Sequence, residues 1–438
     1  MGLAPDPGAA KAGRELAAPR KWSVLGARAE CLWGAVQGSG KAPYQVAADL
    51  TGPAFKCTCP SRKFPCKHSL GLLLIYVQQP AALTAVEPPG WVAEWLAKRR
   101  EKAAPAAAPA VDAPPDPAAA AKAAAAAEKR VESREARVTR GLADLGVWLA
   151  DVARLGLAAL PDKKAAFWSE PAARLVDAQA PGLARRLGVL ADWVAGGAAD
   201  WPERLLRELA ALHLVRSGWA RRGELPTATV ADLRTVIGFP VAQADLLTEP
   251  GVRDEWVVAG QRVITEGAVR TQRTWLFGTA TGRAALSLSF SAAANQPLDL
   301  TLPIGRRLAA ELVFYPGAWP QRALVKNRQD LPAGDVPPPL LPHPTIATAR
   351  AAAAAAWAAN PWLERVPIGL PAVVPTRSRG AWGVRDAAGH WLPLAVAEDR
   401  GWALLALSGG RPLALMGEWE QETLTPLGAW AEGRWVRW

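Results

Sequence analysis

"CTCPSRKFPCKH", Cys57 to His68, gathers three of the chain's four cysteines and one of its four histidines into twelve positions. The spacing is Cys57-x-Cys59, six residues, then Cys66-x-His68. Three thiolates and one imidazole make a complete tetrahedral zinc shell. Two cysteines one residue apart reach one ion where a strand end turns, and Pro60 stands at that point. Six residues bring the chain back to the start of a helix, where Pro65 needs no amide hydrogen bond. Cys57, Cys59, Cys66 and His68 are therefore expected to hold one structural Zn2+ that staples a hairpin to a helix.

Other chemistries fit less well. A Cys57–Cys59 disulfide closes a very small, strained ring. Iron–sulfur clusters usually take four cysteines, and a nucleophilic Cys/His pair leaves two cysteines unexplained. Catalytic zinc keeps a coordination position for water. Here four soft ligands fill the shell, and no acidic residue lies between Asp49 and Glu87 to act as a base. The expected metal is not catalytic; it contributes folding energy, on the order of 10 kcal/mol.

The flanks give the module its shape. "YQVAADL" (44–50) reads as a strand, and "AFKCTC" continues it after Thr51-Gly52-Pro53. "HSLGLLLIYVQQ" reads as a helix stopped by Pro80, with Leu70, Leu73, Leu74 and Val77 as its buried stripe. With these flanks, the stretch "AVQGSGKAPYQVAADLTGPAFKCTCPSRKFPCKHSLGLLLIY" resembles the SWIM zinc fingers of bacterial proteins over about residues 22–80. The resemblance implies a ββα module with all four ligand positions intact. It implies binding to DNA or to another protein, not catalysis. Family members stand beside MoxR-type AAA ATPases and von Willebrand factor A-type proteins, which favours a protein assembly.

Charge leaves both partners open. The net charge is +11, and residues 1–100 hold 13 Lys/Arg against six Asp/Glu. Lys56, Arg62, Lys63 and Lys67 lie in or against the cluster with no acidic residue among them. They are candidates for contacting a partner or nucleic-acid phosphates. Screening of the anionic metal site explains them equally. "QGSGKA" (37–42) is not a phosphate loop, because Ala35 and Ala42 stand where it needs Gly and Ser or Thr. Gly38 and Gly40 suit a turn instead.

The whole chain reads as an α+β multidomain protein: an N-terminal ββα zinc finger module, a helical domain, an antiparallel β-rich domain and a small C-terminal β module. The expected divisions are a finger module with flanking strand and helices at 22–102 and a Pro/Ala-rich linker at 103–127. A helical domain at 128–240 and a β-rich domain at 250–330 follow, then a helix plus small β-barrel-like module at 345–438. Within the helical domain Leu142, Leu145, Leu149 and Val152 share one face, as do Leu205, Leu209, Leu212 and Val215. "EKRVESREARVTR" (128–140) reads as a solvated face, Cys31 as a small core residue and His213 as a packed edge residue. His343 and His390 sit in loops without partners at metal spacing. Trp430, Trp435 and Trp438 are expected in the C-terminal core.

The N-terminus lacks the apolar segment of a secretory leader, and no run of 18 apolar residues occurs. A cytoplasmic, bacterial protein is expected, with no membrane span. The expected function is non-catalytic binding, as an adaptor within a protein assembly. The alternative is DNA binding through the basic face of the finger. An enzyme within 128–438 is the third class, although that region shows no triad, carboxylate pair or nucleotide loop.

Overall fold

The strands within residues 22–57 build one sheet with a hydrophobic core on each face. The computed structural model describes residues 7–438 apart from 29, 39–41, 51–53, 62–64, 104–116, 267–268, 292–297, 300, 332–340 and 432. It divides into two units. The first comprises Met1–Pro114 with Gln261–Thr274 and Leu288–Ile304; the second comprises Pro115–Gly260, Trp275–Ser287 and Gly305–Trp438.

The first unit opens with α1 (Pro7–Glu15), followed by β1 (Trp22–Arg28), β2 (Cys31–Val36), β3 (Tyr44–Asp49) and β4 (Ala54–Cys57). These strands form an antiparallel sheet in the order β1-β2-β3-β4, so the ββα motif expected with a flanking strand has two strands, β1 and β2, beside it. Leu32, Ala48 and Phe55 are directly opposed across three strands, and so are Trp33, Ala47 and Lys56 on the other face. On the first face α2 (Lys67–Gln78) packs Leu72 and Ile75 against Leu32, Val46, Ala48 and Phe55. On the second, α3 (Gly90–Ala103) packs Val92 and Leu96 against Cys31, Trp33 and Ala47. Cys31 is thus a core residue. Asp49, buried on the same side as Trp33, accepts a 3.0 Å bond from Arg99 and ties α3 down.

The phase of α2 differs from the expected stripe. His68, Leu72 and Ile75 are buried, whereas Val77 is 73% exposed. Positions i, i+4 and i+7 share a helix face, so the face carrying His68 is the one turned inward. The opposite flank is covered too, because Leu16 lies so close to Gly71 that a Cβ there would stand 2.8 Å from the Leu16 Cβ.

In the second unit, α4 (Pro117–Leu155), α5 (Ala165–Asp177), α6 (Pro181–Gly188), α7 (Leu190–Ala195), α8 (Trp201–Ala220) and α9 (Thr227–Ile237) form a helical bundle, and α10 (Gln243–Thr248) follows. α4 packs on α5 and α8, and α9 packs on α6 and α8. Both expected leucine stripes are in its core. Residues 128–140 are not simply a solvated face. Arg134 donates to the Gln179 and Gly238 carbonyls and lies over Phe239, and Glu135 pairs with Arg234. Residues 104–116 of the expected linker lie outside the described residues, and 117–127 are the first turns of α4.

β5 (Val252–Glu266), β6 (Val269–Gly278), β7 (Ala284–Ser291), β8 (Arg307–Phe314) and β9 (Ala323–Asp330) form a sheet in the order β7-β6-β5-β8-β9. After α11 (Ile346–Ala359) come β10 (Val366–Ser378), β11 (Ala381–Arg385), β12 (Trp391–Pro393), α12 (Glu398–Ser408), β13 (Leu413–Glu420), β14 (Thr423–Ala431) and β15 (Arg434–Arg437). Their sheet runs β12-β11-β10-β13-β14-β15, all antiparallel. A bridge from Leu394 to Leu424 curls the row back toward β14. The two sheets meet closely at Gly428, where a Cβ would stand 2.2 Å from the Ala259 carbonyl oxygen. Trp435 is buried and meets Trp430 edge to face; Trp438 packs at the margin of the C-terminal core, under Arg400.

Candidate metal centre

The strand period places the first two ligands. The Thr58 amide donates to the Gln45 carbonyl, and the Gln45 amide donates to Thr58 Oγ1, so the pairing of β4 with β3 runs one residue beyond Cys57. In extended chain, residues i and i+2 point to one face. Cys57 packs with the α2-facing core, and Cys59 follows two residues on. Cys66 is the N-cap of α2, preceded by Pro65, and His68 lies in the first turn. The helix therefore begins two residues later than a proline at its first position would place it.

Candidate ligand atoms of Cys57, Cys59, Cys66 and His68 all lie within 4.8 Å of one another. His68 Nδ1 stands 3.8 Å from Cys57 Sγ and 3.9 Å from Cys66 Sγ. Tetrahedral zinc with ordinary Zn–S and Zn–N bonds separates its donors by roughly 3.5–3.8 Å. Donor set and spacing thus fit the ion. Cys66 and His68 are buried, and Tyr44 packs its ring 5.2 Å from the imidazole. Gly38 lies against Tyr44 in turn; a Cβ at Gly38 would come 2.0 Å from its ring.

Electrostatics point the same way. A hydrogen bond from the Cys57 thiol, helped by His68 and Ser69, pulls Cys66 down to about 3. The same bond, with burial and the Cys66 charge, pushes the Cys57 thiol far up. Burial raises Cys59 as well. Three clustered sulfurs without a cation hold one thiolate readily and resist the others; a divalent ion removes that conflict. Residues 56–76 match the SWIM zinc finger family.

The chain carries a SWIM zinc finger. Residues 133–237 match the SWIM-associated four-helix bundle domain, a range that takes in α5 to α9 and the C-terminal part of α4. Neither the curated proteins nor the solved structures give a match to the chain. In the finger, Cys57, Cys59, Cys66 and His68 are the donors for one structural zinc ion, and four protein ligands close its shell.

Of the four basic residues near the finger, the two described ones, Lys56 and Lys67, lie on different elements. Lys56 alternates with Cys57 and so projects to the α3 side, with its ammonium 5.5 Å from the centre of the Trp91 ring. Lys67 is exposed at the first residue of α2. Arg62 and Lys63 lie outside the described residues, as does Gly40. The histidines elsewhere have other partners. His213 meets Ser217 Oγ at 3.3 Å, His390 meets Asp386 at 3.3 Å, and His343 Nδ1 accepts from the Gly369 amide at 3.1 Å. Among the described residues, no helix is long and apolar enough to cross a membrane.

The sequence did not point to Tyr44, Gly38, Thr58 or Trp91 as parts of this neighbourhood. The register of β3 with β4 is the signal that separates Lys56 from the ligands. Gly38 and Tyr44 carry no signal short of the fold.

Proposed function

We propose that this protein is a non-catalytic, zinc-stapled binding component of a cytoplasmic protein assembly. One observation carries this reading: α2, the helix that carries His68, is buried over most of its first nine residues rather than offered to a nucleic-acid groove. Major-groove readers present a helix face of exposed polar side chains. Here His68, Ser69, Leu70, Gly71, Leu72 and Ile75 of α2 are all buried, under the sheet on one side and the Leu16 segment on the other. Lys56 is drawn onto Trp91 on the far face of the sheet, which leaves Lys67 as the one cluster-adjacent cation on view among the described residues. The closed zinc shell argues against hydrolytic chemistry at the ion. The resemblance to bacterial SWIM proteins favours a MoxR-type AAA ATPase or a von Willebrand factor A-type protein as partner.

The test uses the zinc-loaded full chain. Co-purification from a bacterial host that encodes such an ATPase is expected to recover it in stoichiometric amount with wild type and not with Cys59→Ser. Mobility shifts with random duplex DNA provide the opposing arm. Salt-sensitive binding lost in Arg62→Ala/Lys63→Ala/Lys67→Ala, without a protein partner, would overturn the reading in favour of DNA.

A further inference from the structure

A cavity of about 280 Å³ lies within the second unit, where the β6–β7 turn, the segment before β9, and α11 with the start of β10 converge. This is near the small end of ligand sites, roughly 300–1,000 Å³. Its walls are largely apolar: Phe277, Trp319, Pro320, Val366 and Pro367 among them. Three polar side chains also line it, Arg283, Gln321 and His343, and no Asp or Glu does.

Each of the three has hydrogen-bonding capacity the protein does not use. Arg283 lies with its guanidinium 3.6 Å from the centre of the Phe314 ring, and among the described residues no carboxylate pairs with it. Stacking holds the plane while leaving the in-plane N–H groups for a ligand. Gln321 is 8% exposed, yet its Nε2 has no partner. An unmet buried donor costs about 1–3 kcal/mol, a cost that a resident ligand would relieve. His343 is buried and accepts from the Gly369 amide at Nδ1. The same nitrogen lies 3.2 Å from the Gly369 carbonyl oxygen, so Gly369 engages the ring through Nδ1 alone.

The scaffold around these groups is fixed. Asp254 accepts from the Ala280 and Thr281 amides and the Thr281 hydroxyl, pinning the turn that carries Arg283. Asp232 accepts from the Ala318 amide at 2.8 Å, pinning the strand of chain that carries Trp319 and Gln321. Two donors on rigid supports, Arg283 and Gln321, with no acid lining the cavity, are complementary to an anion.

We infer that this cavity binds a small organic carboxylate with an apolar body. Arg283 and Gln321 hold the carboxylate, and Trp319, Phe277 and Val366 enclose the remainder. Such a site is independent of the finger and of whatever the finger binds.

The experiment measures binding to the zinc-loaded full chain by ligand-observed NMR and calorimetry. The probes are benzoate and hexanoate, with benzamide and hexanamide as neutral counterparts and inorganic phosphate as an anion lacking an apolar body. The acids should bind at least about tenfold more tightly than the amides and than phosphate. Arg283→Met should weaken the acids about tenfold or more, and Arg283→Lys should restore part of the loss. Gln321→Leu should weaken them as well, yet raise the Tm of the unliganded protein because the unmet donor is gone. That opposite movement is not expected of a residue with a purely structural role. The inference is overturned if acids and amides bind alike, if phosphate matches benzoate, if Arg283→Met binds as wild type does, or if no acid binds at roughly 10 mM, weaker than useful ligand recognition.

Discussion

Three thiols and an imidazole packed within 4.8 Å would be a liability without an ion, and the finger's stability should depend on each of them. Cys59→Ser or His68→Ala is expected to lower zinc from one per chain to well below one by elemental analysis. The same variants should lose the far-ultraviolet signal of the finger, because a structural zinc supplies on the order of 10 kcal/mol. Folding that is indifferent to zinc would sink the structural assignment. Support beyond the ligands is subtler. Gly38 leaves room for the Tyr44 ring, which packs on His68. Gly38→Ala should crowd that ring and cost about 1–3 kcal/mol in denaturant titration, with zinc stoichiometry retained. The ligands were readable in sequence because metal chemistry resides in residue type and spacing. Tyr44 and Gly38 were not, since packing against a ligand leaves no mark on composition.

At the scale of elements, register decides what a residue type alone does not. Lys56 and Cys57 are neighbours in sequence, yet β4 sends one toward Trp91 and the other toward the metal. Lys56 is thereby separated from the metal side of the sheet, although in sequence it looks like part of one basic patch. Helix α2 shows the same effect: counting leucines nominates Val77 as core, but the face that carries His68 turns Leu72 and Ile75 inward instead. The strands β1 and β2 carry a weak local signal because "WSVLGAR" and "CLWGAV" lack a clean alternation, and β2 is covered on both faces. Asp49 anchors α3 through Arg99, so Asp49→Ala should cost about 1–3 kcal/mol and expose Trp91 and Trp95, read as a red shift in fluorescence. In the second unit, burial pushes the Asp232 carboxyl upward, and the Ala318 amide only partly offsets this. A carboxyl raised in the folded state holds its proton more tightly there than in the unfolded chain. Stability therefore falls as pH rises from the unfolded value near 3.9 through the folded one. Asp232→Asn keeps an acceptor for Ala318 and sheds the charge. Its Tm should equal or exceed that of wild type at pH 7, with the difference shrinking toward pH 3.

For the whole molecule, the legible part was the part built from local pattern. The leucine stripes of α4 and α8 follow the helix period over several turns and lie in the bundle core as their spacing demands. The strands from β5 onward announce themselves as β, but their joining into a five-stranded and a six-stranded sheet depends on contacts between distant residues. Trp275 donating to the fully buried Glu418 at 2.7 Å, across 143 residues of sequence, is one such contact. No local pattern reports it, nor the cavity beside Arg283. The division into two units carries a final prediction. The zinc ligands and the core they staple belong wholly to the first unit, whereas the helical bundle core and the C-terminal sheet core belong to the second. An ion that binds only the folded finger stabilises the cooperative unit it belongs to, and leaves a separate unit's transition in place. Calorimetry of the full chain should show two transitions. Chelation of zinc should abolish or strongly lower one of them, and move the other by no more than about 2–4 °C, the shift expected of roughly 1 kcal/mol in a domain of this size. A single transition that shifts as one on chelation would mean that the finger and the rest of the chain unfold together.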